Sequence, residues 1–499
     1  MKIPILRLSL VCFLLMLKAA GAQPAKPDLV LEGALEGAQN KTHFEIPFTV
    51  PANIHRISVD VSYTGREEHT VLNLGIADPF RFRGTSGGNK SHFTLSETDA
   101  TPSYLPGAIP AGTWNLLISV PNIRPTEHAT YRAEIRFNSR VEDQGFTVTP
   151  LAEGKRWYRG DLHMHTAHSD ASCLSQSGKS VPCPAFLTVQ TAAARGLDFI
   201  AITDHSTDAQ YNDERELQPY YDKLLLIPGR EMTTFWGHFN IFGVTQYVEY
   251  RAVANGQKDG SDINAILRDV RAKGGIASVN HADSPGGEEC MGCRWEPPSA
   301  VDMSLFTGIE VINGGRMMLS SADFWDAQLA EGLTLTAIGG SDNHNAPSEA
   351  GRPGSIAWPT TVVEADELSV AAILDGIRHG RVFIDLTASH DKAVDLSAQD
   401  TNAPNSEPVA MGGTLTPAAG DSIDFKIKLE HCPRARVHLF LDGAETLPPL
   451  TSKAGQLSDT LTFQWKSDAH AHWLRAEVRD ANDSLMLVSN PIYIHPATH

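Results

Sequence analysis

Long apolar runs are scarce in this chain of 499 residues. The most prominent, "LSLVCFLLML" from Leu8 to Leu17, is ten residues long, half of the roughly 20 that a bilayer-spanning helix needs, and no later stretch comes close. Helical membrane spans are therefore not expected. Positive charge is also in short supply: 41 Lys and Arg stand against 59 Asp and Glu, for a net charge of −18. An undirected grip on nucleic acid requires basic surface facing a polyanion, so nucleic acid is not an expected partner. Cysteine is sparse as well, six in all, and without the arrangement of a thiol nucleophile. Internal repeats and low-complexity tracts are not evident, while Gly and Pro are present in ordinary amounts. With 41% hydrophobic residues, the length suffices for three compact units, each with its own core.

The N-terminus reads as an address. Lys2 and Arg7 precede the apolar run, and Ala20 and Ala22 then form an A-x-A pattern before Gln23. Residues 1–22 are expected to be a secretory signal peptide, which places the mature chain in the periplasm or outside the cell, free of the membrane. Cys12 leaves with that segment. Export permits disulfides: Cys173 with Cys183, Cys290 with Cys293, or cross-pairs among the four are all allowed, as staples of loops, and Cys432 is the odd thiol.

Residues 26–148 alternate apolar and polar in short runs such as "HFEIPFTV", "ISVDVSY", "WNLLISV" and "YRAEIRF", the pattern of a β-sandwich. From 393 to 499, "IDFKIKL", "ARVHLFLDG", "TLTFQW" and "HWLRAEVRD" suggest a second, sandwich-like all-β domain. Between them, from 155 to 392, the pattern changes. Short runs rich in Ile, Val and Leu, "DFIAI", "LLLIP", "GIASV" and "LTLTAI", read as buried strands. Helical stretches fill the gaps at Pro184 to Arg195, Ser261 to Lys273, Ala322 to Glu331 and Leu368 to His379, with Gly196 and Gly274 at stop positions. Alternation of this kind predicts an α/β barrel, in which the loops leaving several strand ends converge on one point.

Those strand ends carry the chemistry. "GDLHMHTAHSD", "ITDH", "PGREMTTFWGH", "SVNH" and "GGSDNH" mostly close apolar runs, and each brings His, Asp or Glu. His163 and His165 are two apart, so on an extended strand both imidazoles project from one side; Asp342 and His344 repeat the spacing. Six residues separate Glu231 from His238, and a turn through "TTFWG" would return His238 to the end where Glu231 stands, on an antiparallel strand. Imidazole and carboxylate without thiolate suit Zn, Mn or Fe, and a carboxylate shared by two cations offsets their repulsion. Water bridging such ions loses its proton near neutrality, so a metal-bridged hydroxide is the expected nucleophile.

Counting "GDLHM", "DFIAI", "LLLIPG", "HFNIFGV", "GIASV", "GIEVI" and "LTLTAI" gives seven strands. With HxH, TDH, a Glu, a His and SDxH following in order, the region resembles the polymerase-and-histidinol-phosphatase (PHP) domain. "PGREMTTFWGHFNIFG", "GIEVINGG" and "GGSDNH" before "GRPGSIAWPTTVV" are similar to the CehA/McbA metallohydrolase branch, which includes carbaryl hydrolases. The resemblance spans roughly residues 157 to 390. It implies a distorted seven-stranded barrel with two or three divalent metal ions. Carried over by position, it implies one ion on His163, His165, Glu231 and Asp342, a second on Glu231, His238 and His281, and a third on Asp170, His205 and His344.

Other residues divide between functional and ordinary readings. Asp161 and Asp204, just before ligand segments, orient an imidazole or cap a strand end. His168 is a candidate acid for the leaving group against a solvated loop histidine. Arg316 and Arg352 either reach a substrate anion or lie on the surface, and alternation turns Arg230 away from the site. The expectation is a metal-dependent hydrolase of a small-molecule ester, with Glu231, Asp342, His168 and Arg316 as its catalytic candidates. Phosphoesters are ranked first, because clustered dications suit a phosphoryl transition state; carboxylic esters or carbamates, the closer branch's substrates, come second.

Overall fold

A computed structural model describes residues 26–88, 90–97, 99–137, 146–147, 149–251, 262–290, 292–297, 300–315 and 318–495. The expected signal peptide over 1–22 and Arg316 lie outside the described residues. Among the described residues, no helix is long and apolar enough to cross a membrane.

The alternating N-terminal runs form two four-stranded antiparallel sheets. Leu29–Glu36, His128–Phe137, Arg56–Tyr63 and His92–Ser96 make one; Thr42–Val50, Gly112–Asn122, Val71–Ala77 and Phe82–Ser86 make the other. Alternation puts every second side chain of Gly112–Asn122 inside, and Trp114, Leu116 and Ile118 meet Ile57, Val59 and Ile135 of the facing sheet in a common core.

Strands at all seven runs read from the central region are present, in a larger mixed sheet, although the first ends at Asp161, so that His163 and His165 stand beyond the strand rather than on it. Glu153–Asp161, Phe199–Ile202 and Leu225–Thr234 run parallel; Gly237–Phe242 turns back against Leu225–Thr234, as the turn at "TTFWG" requires; and Ile276–Val279, Gly308–Asn313 and Thr336–Gly340 are again parallel to one another. Phe199–Ile202 and Ile276–Val279 are buried at every position, which explains their unbroken apolar sequences. Between Thr336–Gly340 and Glu153–Asp161 there is no continuous ladder. A single parallel bridge, Met164 to Asn343, joins the two ends of the row, helped by Ser341 N donating to Asp161 Oδ1 at 3.0 Å.

The four expected helices appear as Ala185–Ala194, Asp262–Ala272, Ala322–Ala330 and Val370–Arg378, each within the expected bounds. Gly196 and Gly274 take φ of 67° and 83° beyond two of them, the left-handed stop that a Cβ disfavours. A fifth helix, Gln210–Leu217, has no counterpart in the sequence reading. Its buried face consists of Gln210, Tyr211, Glu214 and Arg215, so no apolar stripe announces it.

The strand pairing runs on across residue 393. Thr360–Glu367 lies antiparallel to Glu153–Asp161 and to Val382–Asp385, which pairs in turn with Leu485–Ser489. The C-terminal strands thus extend the central sheet, while Ala393–Asp400, Ser422–Glu430 and Ser458–Lys466 form a separate layer with Val409–Ala410. Val362 and Phe383 share one core with Leu396, Phe425, Val437 and Leu474.

Arg475, in the strand His472–Arg479, is 2% exposed and forms a two-pronged bond with Asp326 of the helix Ala322–Ala330, Nε to Oδ1 at 3.0 Å and Nη2 to Oδ2 at 2.8 Å. Removing one partner of a buried pair strands the other charge. Asp326→Ala should cost about 3 kcal/mol, the low end for such pairs, because Glu477 still accepts from Arg475 at 3.0 Å. Urea unfolding of the two forms measures it.

Candidate metal centre

The strand ends deliver their side chains to one place. Glu153–Asp161 stops just short of His163 and His165, Phe199–Ile202 leads to His205, Ile276–Val279 to His281, and Thr336–Gly340 to Asp342 and His344. Glu231 lies within Leu225–Thr234, and His238 opens the antiparallel strand beside it, directly across from Thr233. Asp170 arrives from the loop after His165, and it is the one exposed member.

Glu231 is the hub. Its Oε2 lies 3.5 Å from His163 Nε2, 3.5 Å from His165 Nε2 and 2.9 Å from His205 Nδ1. Its Oε1 lies 3.2 Å from His238 Nδ1 and 3.4 Å from His281 Nε2. Asp342 Oδ1 joins His163 Nε2 at 3.4 Å to His165 Nε2 at 3.2 Å, and Asp170 Oδ1 faces His344 Nε2 at 3.2 Å and His205 Nε2 at 3.6 Å. All nine residues expected from the sequence fall in groups whose ligand atoms lie within 4.8 Å of one another. The grouping departs from the expected partition: His165 joins both the set with His163 and Asp342 and the set with Asp170, His205 and His344, while Glu231 groups with His163 and His281 and with His205 and His238 rather than with His238 and His281 together.

These donors fit cations. His163 Nε2, His165 Nε2, Glu231 Oε2, both ring nitrogens of His238 and Nδ1 of His281 are buried and make no hydrogen bond. Buried polar atoms are normally paired, so six exceptions in one cluster call for partners, and imidazole with carboxylate suits Zn, Mn or Fe. Two of the ligands also sit on strained backbone. His281 and Asp342 hold φ of 28° and 50°, a conformation that costs about 1–3 kcal/mol in non-glycine residues.

A carboxylate not singled out in the sequence fixes the rings. Glu310 Oε1 meets His163 Nδ1 at 2.9 Å, leaving Nε2 of that ring for the centre, while Oε2 accepts from His281 N at 3.1 Å and Asn313 Nδ2 at 2.9 Å. Gly340 makes room for it: a Cβ there would stand 2.2 Å from Glu310 Oε1 and 2.4 Å from His163 Cβ. Asn280 Nδ2 donates to Glu231 Oε1 at 2.9 Å. The signal for Glu310 was present as the lone charge in the apolar run "GIEVI".

Asp161 and Asp204 take the capping role. Asp161 accepts from Ser341 N, Ala357 N and His163 N, and Asp204 from Thr166 N and Oγ1 and Ser169 Oγ, so neither touches an imidazole of the cluster. His168 Nε2 meets Asp213 Oδ2 at 2.7 Å, beside the cluster rather than in it. Arg230 turns away, as expected, to Gln246 O at 2.7 Å. Arg352 is exposed and pairs with Glu349 at 2.7 Å. The GxSxG spacing of "GTSGG" at Gly84–Gly88 belongs to the N-terminal sheets, where Ser86 Oγ bonds Tyr104 OH at 3.0 Å, so it supplies no serine nucleophile. Cys290 and Cys293 form a disulfide; Cys173 and Cys183 are free, buried and hydrogen-bonded to each other, and Cys432 is free and buried.

Without a cation, the cluster keeps protons instead. Burial opposes charge on His344, but its bond to Asp170 and the nearby Asp342 override burial and lift its pKa to about 9. The same bond, against burial, holds Asp170 down to about 2. His163 is likewise raised well above the ordinary range despite burial, by Glu310, Asp342 and Glu231. His165 goes the other way, to about 4, through burial and the adjacent His344. A cation must displace the protons on raised imidazoles, so affinity should climb as pH is taken from about 6 to about 9, with protons released on loading. Proton release on adding zinc to weakly buffered, metal-free protein, with Kd measured across that range, checks this; a pH-independent Kd contradicts it.

No protein-family model and no curated protein matches the chain. Among solved structures, a two-domain protein from Bacteroides vulgatus containing a predicted PHP-like metal-dependent phosphoesterase aligns at 19% identity and a TM-score of 0.37, covering 71% of this chain and 99% of its own. The CARDB domain of a Pyrococcus furiosus protein aligns at 9% identity and a TM-score of 0.15 over 22% of this chain and 90% of its own, in a crystal structure with di-metal ions. Likenesses this shallow decide neither fold nor function; both rest on the chain's own residues.

Proposed function

We propose that the chain is an exported metal-dependent hydrolase of the PHP superfamily, built on a distorted seven-stranded barrel, and that its substrates are phosphoesters. The observation that carries this reading is Glu231, one buried carboxylate facing five imidazoles, with Asp342 and Asp170 linking the sixth, His344, to them. His163, His165, Asp170, His205, Glu231, His238, His281, Asp342 and His344 would hold two or three divalent cations. Such cations, when bound, supply Lewis-acid polarisation of the substrate and acidification of water.

The chain's own groups do the rest. Glu231 and Asp342 hold negative charge between positions that would otherwise repel, and Glu310 fixes the His163 ring so that Nε2 faces the centre. His168 would serve as the acid for the leaving group: its bond to Asp213 outweighs its partial burial and raises its pKa above the ordinary imidazole value. Export rests on the N-terminal pattern alone.

A second reading, hydrolysis of uncharged carboxylic esters or carbamates, is favoured by Arg352, which pairs with Glu349 in solvent instead of offering a hold for a substrate anion. The likeness of "PGREMTTFWGHFNIFG" to the CehA/McbA branch supports it as well. Turnover of p-nitrophenyl phosphate, its phosphodiester analogue and a naphthyl carbamate by one metal-loaded preparation separates the two. Phosphoester cleavage is expected, and naphthol release without it reverses the order. Separately, His168→Gln should leave metal content unchanged and lower turnover by about 100-fold or more for poor leaving groups, with much less effect on p-nitrophenyl esters. Equal losses for both leaving groups would remove His168 from proton transfer.

A further inference from the structure

A tenth donor reaches the cluster from a part of the chain that the hydrolase reading does not use. Cys293 Sγ and one ring nitrogen each of His238 and His281 lie within 4.8 Å of one another, and all three side chains are buried. Both nitrogens of His238 and Nδ1 of His281 make no hydrogen bond, so this flank of Glu231 has spare imidazole capacity with sulfur alongside it.

The fold holds Cys293 there by close backbone approach. Trp295 N donates to Ala282 O at 3.1 Å, next to His281, and Glu296 N donates to Trp236 O at 2.7 Å, two residues before His238. A Cβ on Gly292 would stand 2.3 Å from Thr234 O, and one on Gly237 would stand 2.2 Å from the Trp295 ring. The loop is thus seated on the turn that presents His238 and on the segment that follows His281. In the structure Cys293 is bonded to Cys290, and a disulfide sulfur is not a thiolate ligand.

We propose that Cys293 is a redox-gated ligand of the His238 and His281 cation position, absent while the Cys290–Cys293 bond is intact and added when it is reduced. This rests on the metal-centre reading above. An external dithiol breaks the S–S bond, gives up two electrons and two protons, and closes to its own disulfide, leaving Cys290 and Cys293 as thiols. On coordination, Cys293 loses its remaining proton to solvent and binds as thiolate. The oxidised protein then offers nitrogen and oxygen alone, suited to manganese or iron as much as zinc. The reduced protein adds a thiolate beside the two imidazoles of His238 and His281, a nitrogen and sulfur set that selects zinc.

Cobalt(II) titration of the full mature chain tests this, because a cobalt–thiolate bond adds a charge-transfer absorption in the near ultraviolet that imidazole and carboxylate do not give. The absorption is expected in protein reduced with dithiothreitol and desalted, and in unreduced Cys290→Ser, where Cys293 has no partner. It is expected to be lost in oxidised protein and in reduced Cys293→Ser, which keeps Cys173, Cys183 and Cys432 as internal controls. Cobalt bound to Cys290→Ser without the absorption, or an undiminished absorption in Cys293→Ser, overturns the Cys293 assignment and leaves the centre standing. No cobalt bound in any form, by metal analysis after desalting, overturns the centre itself.

Discussion

A carboxylate buried without compensation costs several kcal/mol, and Glu231 is 1% exposed. Five imidazoles surround it, drawn from the ends of several strands that the chain brings together over more than a hundred residues. The ionised acid could not stand in the interior alone. Burial raises the tendency of Glu231 to stay neutral, yet His163, His205 and His238 hold its pKa well below the usual carboxylate range. The strands are packed by apolar side chains on either side, and their ends meet at this one electrostatic knot.

Much of that meeting was legible in the sequence. Six histidines and three acids each stand at or near the end of an apolar run, and a run that is buried throughout has only its ends available for polar chemistry. The reversal between Glu231 and His238 could be read because "TTFWG" is long enough for a turn and too short for a crossover. What escaped notice was polar chemistry away from strand ends. Glu310 lies inside the apolar run "GIEVI", and its partners His163 and His281 become neighbours only after folding. The helix Gln210–Leu217 was missed for a related reason, since its buried face mixes Tyr211 with Gln210, Glu214 and Arg215 and carries no apolar stripe.

Cys293 shows the limit from another side. A CxxC in a loop carries no statement of what lies opposite it, and the loop's seat beside His238 depends on the contact between Gly237 and Trp295, remote in sequence. Strand order is equally hidden: alternating runs after residue 393 announce a β-layer, but not that Leu485–Ser489 will pair with Val382–Asp385.

That pairing has a consequence for solubility. A strand bounded on one side only presents a row of free amides and carbonyls to any other chain that can add to it. Val382–Asp385 would be such a border, fully buried along its length and short of charge until its final Asp, if the last strands did not occupy it. The C-terminal strands thus act as a selvedge for the sheet that carries the metal-binding end, keeping its hydrogen-bonding capacity from being satisfied by a neighbour.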